Sequence, residues 1–384
     1  MAKPAARATA ERFRVMRPSA TVENTERIRA ARAAGRRILG LSSGDPNIVT
    51  DPRIISAAEA AMRSDKTHYS SPAGEPSLRR AIVERESERS GAHYHPDDIL
   101  VTPGGKFALL TGLMSIIDPG DEVLVPEPGW VSYGPCVRLC GGVPIAVPML
   151  DRLDPDAIAG AITEQTRALI LNSPVNPTGR VLGEGGLAAT IAIAQRHDLW
   201  IIFDQVYSDL TYRGRFKYLQ GLAGGFERTL VVDSLSKSFG MTGWRLGYLA
   251  LPPGMAKAAV KFLQHSIYCV PAFIQAAGEE ALSLRNELVP TYGELFRRRL
   301  QRAVAALDAI PGISCAMPDA TFYLFPRVAG DDTAIAQRWL AEGDIAVMPG
   351  SAFGPAGKGH LRMSLGCSDA ELDEALARIA RLGV

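Results

Sequence analysis

Lys237 lies among hydroxyls and small residues in Ser234-Leu-Ser236-Lys237-Ser-Phe-Gly-Met-Thr-Gly-Trp-Arg245, directly after an apolar run. A lysine amine can form a Schiff base with an aldehyde. Serine hydroxyls and the forked guanidinium of Arg245 match phosphate oxygens in a way an ammonium cannot. The segment therefore suggests an aldehyde cofactor that carries a phosphate, pyridoxal phosphate. Read alone, it also fits a surface lysine at the start of a helix.

Other segments supply complementary chemistry. Trp200-Ile-Ile-Phe-Asp204-Gln-Val-Tyr207 delivers a carboxylate and, three residues on, a phenol. A carboxylate against a pyridine nitrogen favours its protonated form and so a stronger electron sink. Tyr207 is placed to donate to the ring's phenolic oxygen. The rival reading is an aspartate that caps the next helix. Asn172-Ser-Pro-Val-Asn176-Pro-Thr-Gly179 fixes an irregular loop whose Asn176 could supply a second donor. Thr102-Pro-Gly104-Gly105-Lys106 opens a helix near Phe107, where bare N–H groups attract phosphate. It is not a nucleotide P-loop, since Phe107 and Leu100 stand where that motif needs Ser or Thr and its first Gly. Trp130, after another apolar run, offers a plane to stack on a pyridine ring, or else a core side chain.

The elements that must position these residues read as strands alternating with helices. Short apolar runs recur at 99–102, 122–125, 143–147, 168–171, 200–203, 229–232 and 246–251. This pattern predicts an α/β fold: a mostly parallel seven-stranded sheet covered by helices, with ligands beyond the carboxyl ends of the strands. From about residue 285 a long helical period carries Leu288, Tyr292, Leu295, Leu300, Val304 and Leu307, and a closing helix starts near Asp369. The expected division is an N-terminal arm and part of a small domain over 1–48, a large cofactor-binding domain over 49–284, and a small α+β domain over 285–384.

Composition bounds the rest. The 384 residues are 47% hydrophobic and 22% charged with a formal net charge of +1, which leaves no general field for nucleic acid or an anionic membrane. No apolar run approaches a membrane span. Five cysteines, at 136, 140, 269, 315 and 367, fit neither a disulfide framework nor a zinc site, so a reducing, cytoplasmic setting is expected. His93 and His95 read as loop, and no metal is expected. The Ala- and Arg-rich start contains Glu11, Glu23 and Glu26 and lacks a secretory h-region, against a targeting peptide.

Taken in order, these motifs resemble those of the class I aminotransferases of the aspartate aminotransferase superfamily, the fold-type I pyridoxal phosphate enzymes, from about Met16 to the C-terminus. The resemblance implies Lys237 as the Schiff-base lysine, Asp204 as the pyridinium partner, Tyr207 and Asn176 as donors to the phenolic oxygen and Trp130 as the stacking ring. It implies Ser234, Ser236, Arg245 and the amides of Gly105 and Lys106 as the phosphate cup, and Tyr69 as a residue lent to the neighbour's phosphate in a homodimer with shared sites. Arg362, in His360-Leu-Arg362-Met-Ser364, matches the arginine that grips the substrate's α-carboxylate, with Gly44 facing the same group. Lys106 and Thr21, with Arg17 as a further candidate, resemble the contacts of an acidic substrate's distal carboxylate, though a lysine at a helix start is also simply solvated. Gln205, in place of the usual acidic residue, and Gly129 are departures expected not to touch the chemistry. The implied reaction transfers an amino group between an L-amino acid and a 2-oxo acid, with aspartate/glutamate-type substrates. The alternatives are a pyridoxal phosphate carbon–sulfur β-lyase and a non-enzymatic ligand sensor. The sensor would need a basic DNA-binding module, and the chain reaches its Pro-Ser-Ala-Thr segment by residue 18 without one.

Overall fold

The apolar runs become one mixed sheet in the computed structural model, which describes residues 20–150 and 152–384. In chain order the strands are β1 (Leu39–Gly40), β2 (Ile99–Thr102), β3 (Glu122–Glu127), β4 (Val143–Pro148), β5 (Thr166–Asn172), β6 (Trp200–Asp204), β7 (Thr229–Ser234) and β8 (Gly247–Ala250). They are followed by the short β9 (Ile313–Ser314), β10 (Tyr323–Leu324), β11 (Arg327–Val328), β12 (Ile345–Ala346), β13 (Met348–Pro349) and the longer β14 (Leu361–Ser364). Among the described residues, seven strands form the main sheet in the order β2-β8-β7-β6-β5-β3-β4. Only β8 runs against the others, pairing antiparallel with both β2 and β7.

Helices cover both faces of this sheet, so its strands inside the edge strand β4 are buried and mainly apolar rather than alternating. Ile170, Ile202, Leu230 and Leu249 pack on one side against the helix Gly105–Ile116, while Leu169, Ile201 and Phe203 pack on the other against the helix Glu184–Arg196. The parallel strands end together at Asn172, Asp204 and Ser234, and the polar loops gather at that edge.

A second core lies around Leu300, Leu307, Trp339, Leu361 and Ile379, under the long helix Arg285–Asp308 and the closing helix Asp369–Leu382. Leu39 and Leu41 join this core, and β1 pairs in parallel with β12, Leu39 opposite Ile345. The segment before the main sheet thus contributes a two-residue strand, too short to leave a periodic signal. The helix expected near Phe107 begins at Gly105, because Gly104, at φ 86°, turns the chain abruptly behind β2.

Candidate active site

Lys237 is presented by the short helix Leu235–Ser238, which starts as soon as β7 ends; the Ser234 hydroxyl caps it by accepting from the Ser236 N–H. Its Nζ donates to the Gly44 carbonyl oxygen at 2.6 Å. Burial pushes the ammonium down to about 8, helped by the guanidinium groups of Arg362 and Arg245 and opposed by Asp45 and Asp204. A neutral amine is therefore accessible near physiological pH.

Lys237 and Arg245 line one cavity of about 190 Å³, and Gly44, Gly105, Lys106, Trp130, Asn176, Asp204, Tyr207, Ser234, Ser236 and Arg362 line it with them. The sequence-predicted residues thus converge, with two exceptions. Tyr69 is 87% exposed, away from the cavity, its ring edge-on to Tyr268 at 4.9 Å. Thr21 lies in the helix Ala20–Ala33, but its side chain, like all of Arg17, is outside the described residues.

Asp204 is buried at the end of β6 and accepts from the Tyr133 hydroxyl at 2.7 Å. Burial raises its carboxyl to about 6 despite that hydrogen bond, and a cation hard against it would lower it again. A pyridinium N–H would supply one. At the other end, Arg245 donates to the carbonyl oxygens of Thr242 at 2.8 Å and Pro103 at 3.3 Å, wrapping the turn before the helix Gly105–Ile116. A Cβ on Gly104 would fall 2.5 Å from Arg245 Nη2, so the turn and the guanidinium approach this closely only because residue 104 has no side chain. The first-turn N–H groups of that helix have no intrahelical partner, and with the hydroxyls of Ser234 and Ser236 they make a cup suited to phosphate.

Arg362, on β14, is 2% exposed. It donates to the Ser42 carbonyl at 2.5 Å and to Asn176 Oδ1 at 3.2 Å, between the rings of Tyr323 and Phe353 at 4.6 and 4.8 Å. Its buried Nε has no partner among the described residues, leaving a charged donor ready for an anion. Because Asn176 spends its oxygen on Arg362, its amide N–H₂ stays available to the cavity. Lys106 is exposed at the rim, its Nζ 5.1 Å from the centre of the Trp130 ring.

Four lining residues, Tyr133, Asn172, Val206 and Tyr323, escape the sequence reading. Tyr133 and Tyr323 look like ordinary core aromatics in their segments, Val206 like a core aliphatic, and Asn172 like the plain start of its loop. Yet Asn172 donates to the Asp204 carbonyl at 3.0 Å and accepts from the Asn176 N–H at 2.8 Å, joining the ends of β5 and β6.

The aminotransferase class I and II pattern matches residues 36–379. The chain belongs to that family. It is a pyridoxal phosphate-dependent, fold-type I aminotransferase, and the residues above fit that cofactor at its ring, its phosphate and its aldehyde. The aspartate/prephenate aminotransferase of Cereibacter sphaeroides is 36% identical over 385 residues, 95% of this chain and 96% of its own. The Thermus thermophilus aspartate aminotransferase structure with maleate superposes with a TM-score of 0.93 at 36% identity, covering 98% of this chain and 100% of that one. An aromatic aminotransferase from Pyrococcus horikoshii is also 36% identical, with a TM-score of 0.87 over 92% of this chain and 98% of that one.

Proposed function

We infer that this aminotransferase takes aspartate- or glutamate-type amino donors and works as a homodimer with shared active sites. Relatives of both acidic and aromatic specificity have the same identity to the chain, so overall similarity does not choose the substrate. What supports the acidic reading is Lys106: an exposed ammonium on the rim of the cavity whose deep wall holds Arg362. A dicarboxylate bridges two such cations, one fork-shaped and one point-like.

Bound pyridoxal phosphate supplies the carbonyl that takes up the amino group and the ring that draws electrons from the α-carbon. In this reading Arg362 grips the α-carboxylate and thereby orients the α C–H bond. Gly44, whose carbonyl holds Lys237 Nζ, keeps the amine in place. With its amine free and neutral, Lys237 would move a proton between the substrate's α-carbon and the cofactor's C4′. Asp204, held by Tyr133, keeps the ring nitrogen charged, and Asn176 and Tyr207 donate to the phenolic oxygen. Ser234, Ser236, Arg245 and the amides of Gly105 and Lys106 hold the phosphate, with Tyr69 of the second subunit. The large domain over 49–284 would carry the cofactor, and the small one, built from 1–48 and 285–384, the carboxylate grip.

Lys106→Ala tests the substrate reading. It should lower kcat/KM for aspartate about tenfold, the loss of one partly solvated charged contact of about 1.4 kcal/mol, and leave phenylalanine nearly unchanged. An unchanged aspartate-to-phenylalanine ratio rules out the acidic assignment.

A further inference from the structure

Tyr323, on β10, makes a contact that these roles leave unexplained. Its hydroxyl lies 3.0 Å from that of Tyr207, both side chains are buried, and no other partner of the Tyr323 hydroxyl is found among the described residues. A phenol has one proton and can accept twice. If Tyr207 gives its proton to the cofactor's phenolic oxygen, the contact between the two tyrosines is satisfied only with Tyr323 as donor. The same side chain reaches two further parts of the site. Its ring lies 4.6 Å from the Arg362 guanidinium, and a Cβ on Gly44 would come within 2.8 Å of its oxygen.

We propose that Tyr323 is a positioning residue which donates to Tyr207 and so fixes the direction of the Tyr207 proton toward the cofactor. The inference rests on the role given to Tyr207 above. A hydroxyl that accepts a hydrogen bond becomes a better donor through the same oxygen. Tyr207 thereby draws more charge off the phenolic oxygen, and a proton held against that oxygen leaves more easily. Tyr323 links this effect to the strand pair that carries Arg362, since Tyr323 lies opposite Ser364 and Leu324 opposite Met363 in the β10–β14 register.

The test is a spectrophotometric pH titration of the resting, cofactor-loaded protein, which needs no turnover. Tyr323→Phe keeps the ring packed on Phe322 and beside Arg362. It should raise the midpoint of the visible absorption change by about half a unit, the worth of one neutral hydrogen bond. Tyr207→Phe should raise it further, and the double variant should match Tyr207→Phe, because the first hydroxyl acts only through the second. If Tyr207→Phe moves the midpoint while Tyr323→Phe does not, or if the two shifts add, the proposal fails and the role of Tyr207 stands. If neither moves it, the role of Tyr207 falls and the proposal with it.

Discussion

At the scale of single residues, the site stores free energy that the ligand-free fold has to carry. Lys237 has an ordinary value of 10.5 and sits at about 8 in the fold, mainly through burial. Below about pH 8 the folded protein must hold a desolvated ammonium, so stability is lost as the pH falls through that value and fully present only above 10.5. Lys237→Met should therefore stabilise the ligand-free protein at pH 7 by about 2 kcal/mol, after allowing for the lost Gly44 hydrogen bond and the lysine's residual solvent contact. The gain should shrink toward zero above about pH 10.5. Thermal unfolding across that range measures it, and a gain independent of pH would mean that packing, not charge, is responsible. Asp204 has the opposite sign of proton linkage. Raised from 3.8 to about 6, it costs the ligand-free fold stability as the pH rises through that window. A cofactor cation beside it would remove this cost.

At the scale of elements, a buried polar network behind the cavity sets where the ends of β6 and β7 lie. The helix Pro76–Ser90 sends Arg85, Glu86 and Arg89 into the fold, where they meet Asp209, Asp233 and Tyr248. Two guanidinium groups face three carboxylates there. Burial works against the Glu86 charge, but Arg89 and Arg85 outweigh it and hold its carboxyl below the usual range. Gln205, next to Asp204, donates from Nε2 to both Glu86 oxygens and to Asp233, each at 3.2 Å, and accepts from Gln220 at 3.1 Å. The departure that looked peripheral in the sequence is thus the neutral donor that lets the carboxylates share one pocket. Gln205→Glu would replace that donor with a fourth acid. It should cost about 3 kcal/mol at pH 8 and much less at pH 5, where the new carboxyl can stay protonated. Equal unfolding midpoints for mutant and parent at pH 8 would refute this account. Gly129, the other departure, has a local cause as well: a Cβ there would fall 2.2 Å from the Pro126 carbonyl oxygen.

At the scale of the whole molecule, what was legible in the sequence follows from burial. All main-sheet strands but the partly exposed edge strand β4 are covered on both faces, and their four- to seven-residue apolar runs between helices left a readable pattern. The two-residue strands on either side of Arg362 left none, because nothing in Tyr323-Leu324 or Met348-Pro349 distinguishes a paired strand from core packing. Charged and polar site residues were legible because they follow strand ends in Gly- and Pro-rich loops. Tyr133 and Tyr323 were not, because the hydrogen bonds that matter come from aromatics otherwise at home in a core.

The molecule as a whole also leaves Tyr69 outward, 87% exposed and beside the exposed Tyr268. In a two-fold dimer a residue that faces away from its own cavity can complete the neighbour's. Co-expression of Lys237→Ala with Tyr69→Ala separates this arrangement from a purely structural role for Tyr69. A mixed dimer holds one site with both lesions and one with neither, since the intact lysine of the Tyr69 variant meets the intact tyrosine of the other chain. Random pairing at equal expression should restore about a quarter of wild-type activity from two variants that are each nearly inactive. If Tyr69 served its own chain, both sites of the mixed dimer would be damaged and activity would stay at the level of the separate variants.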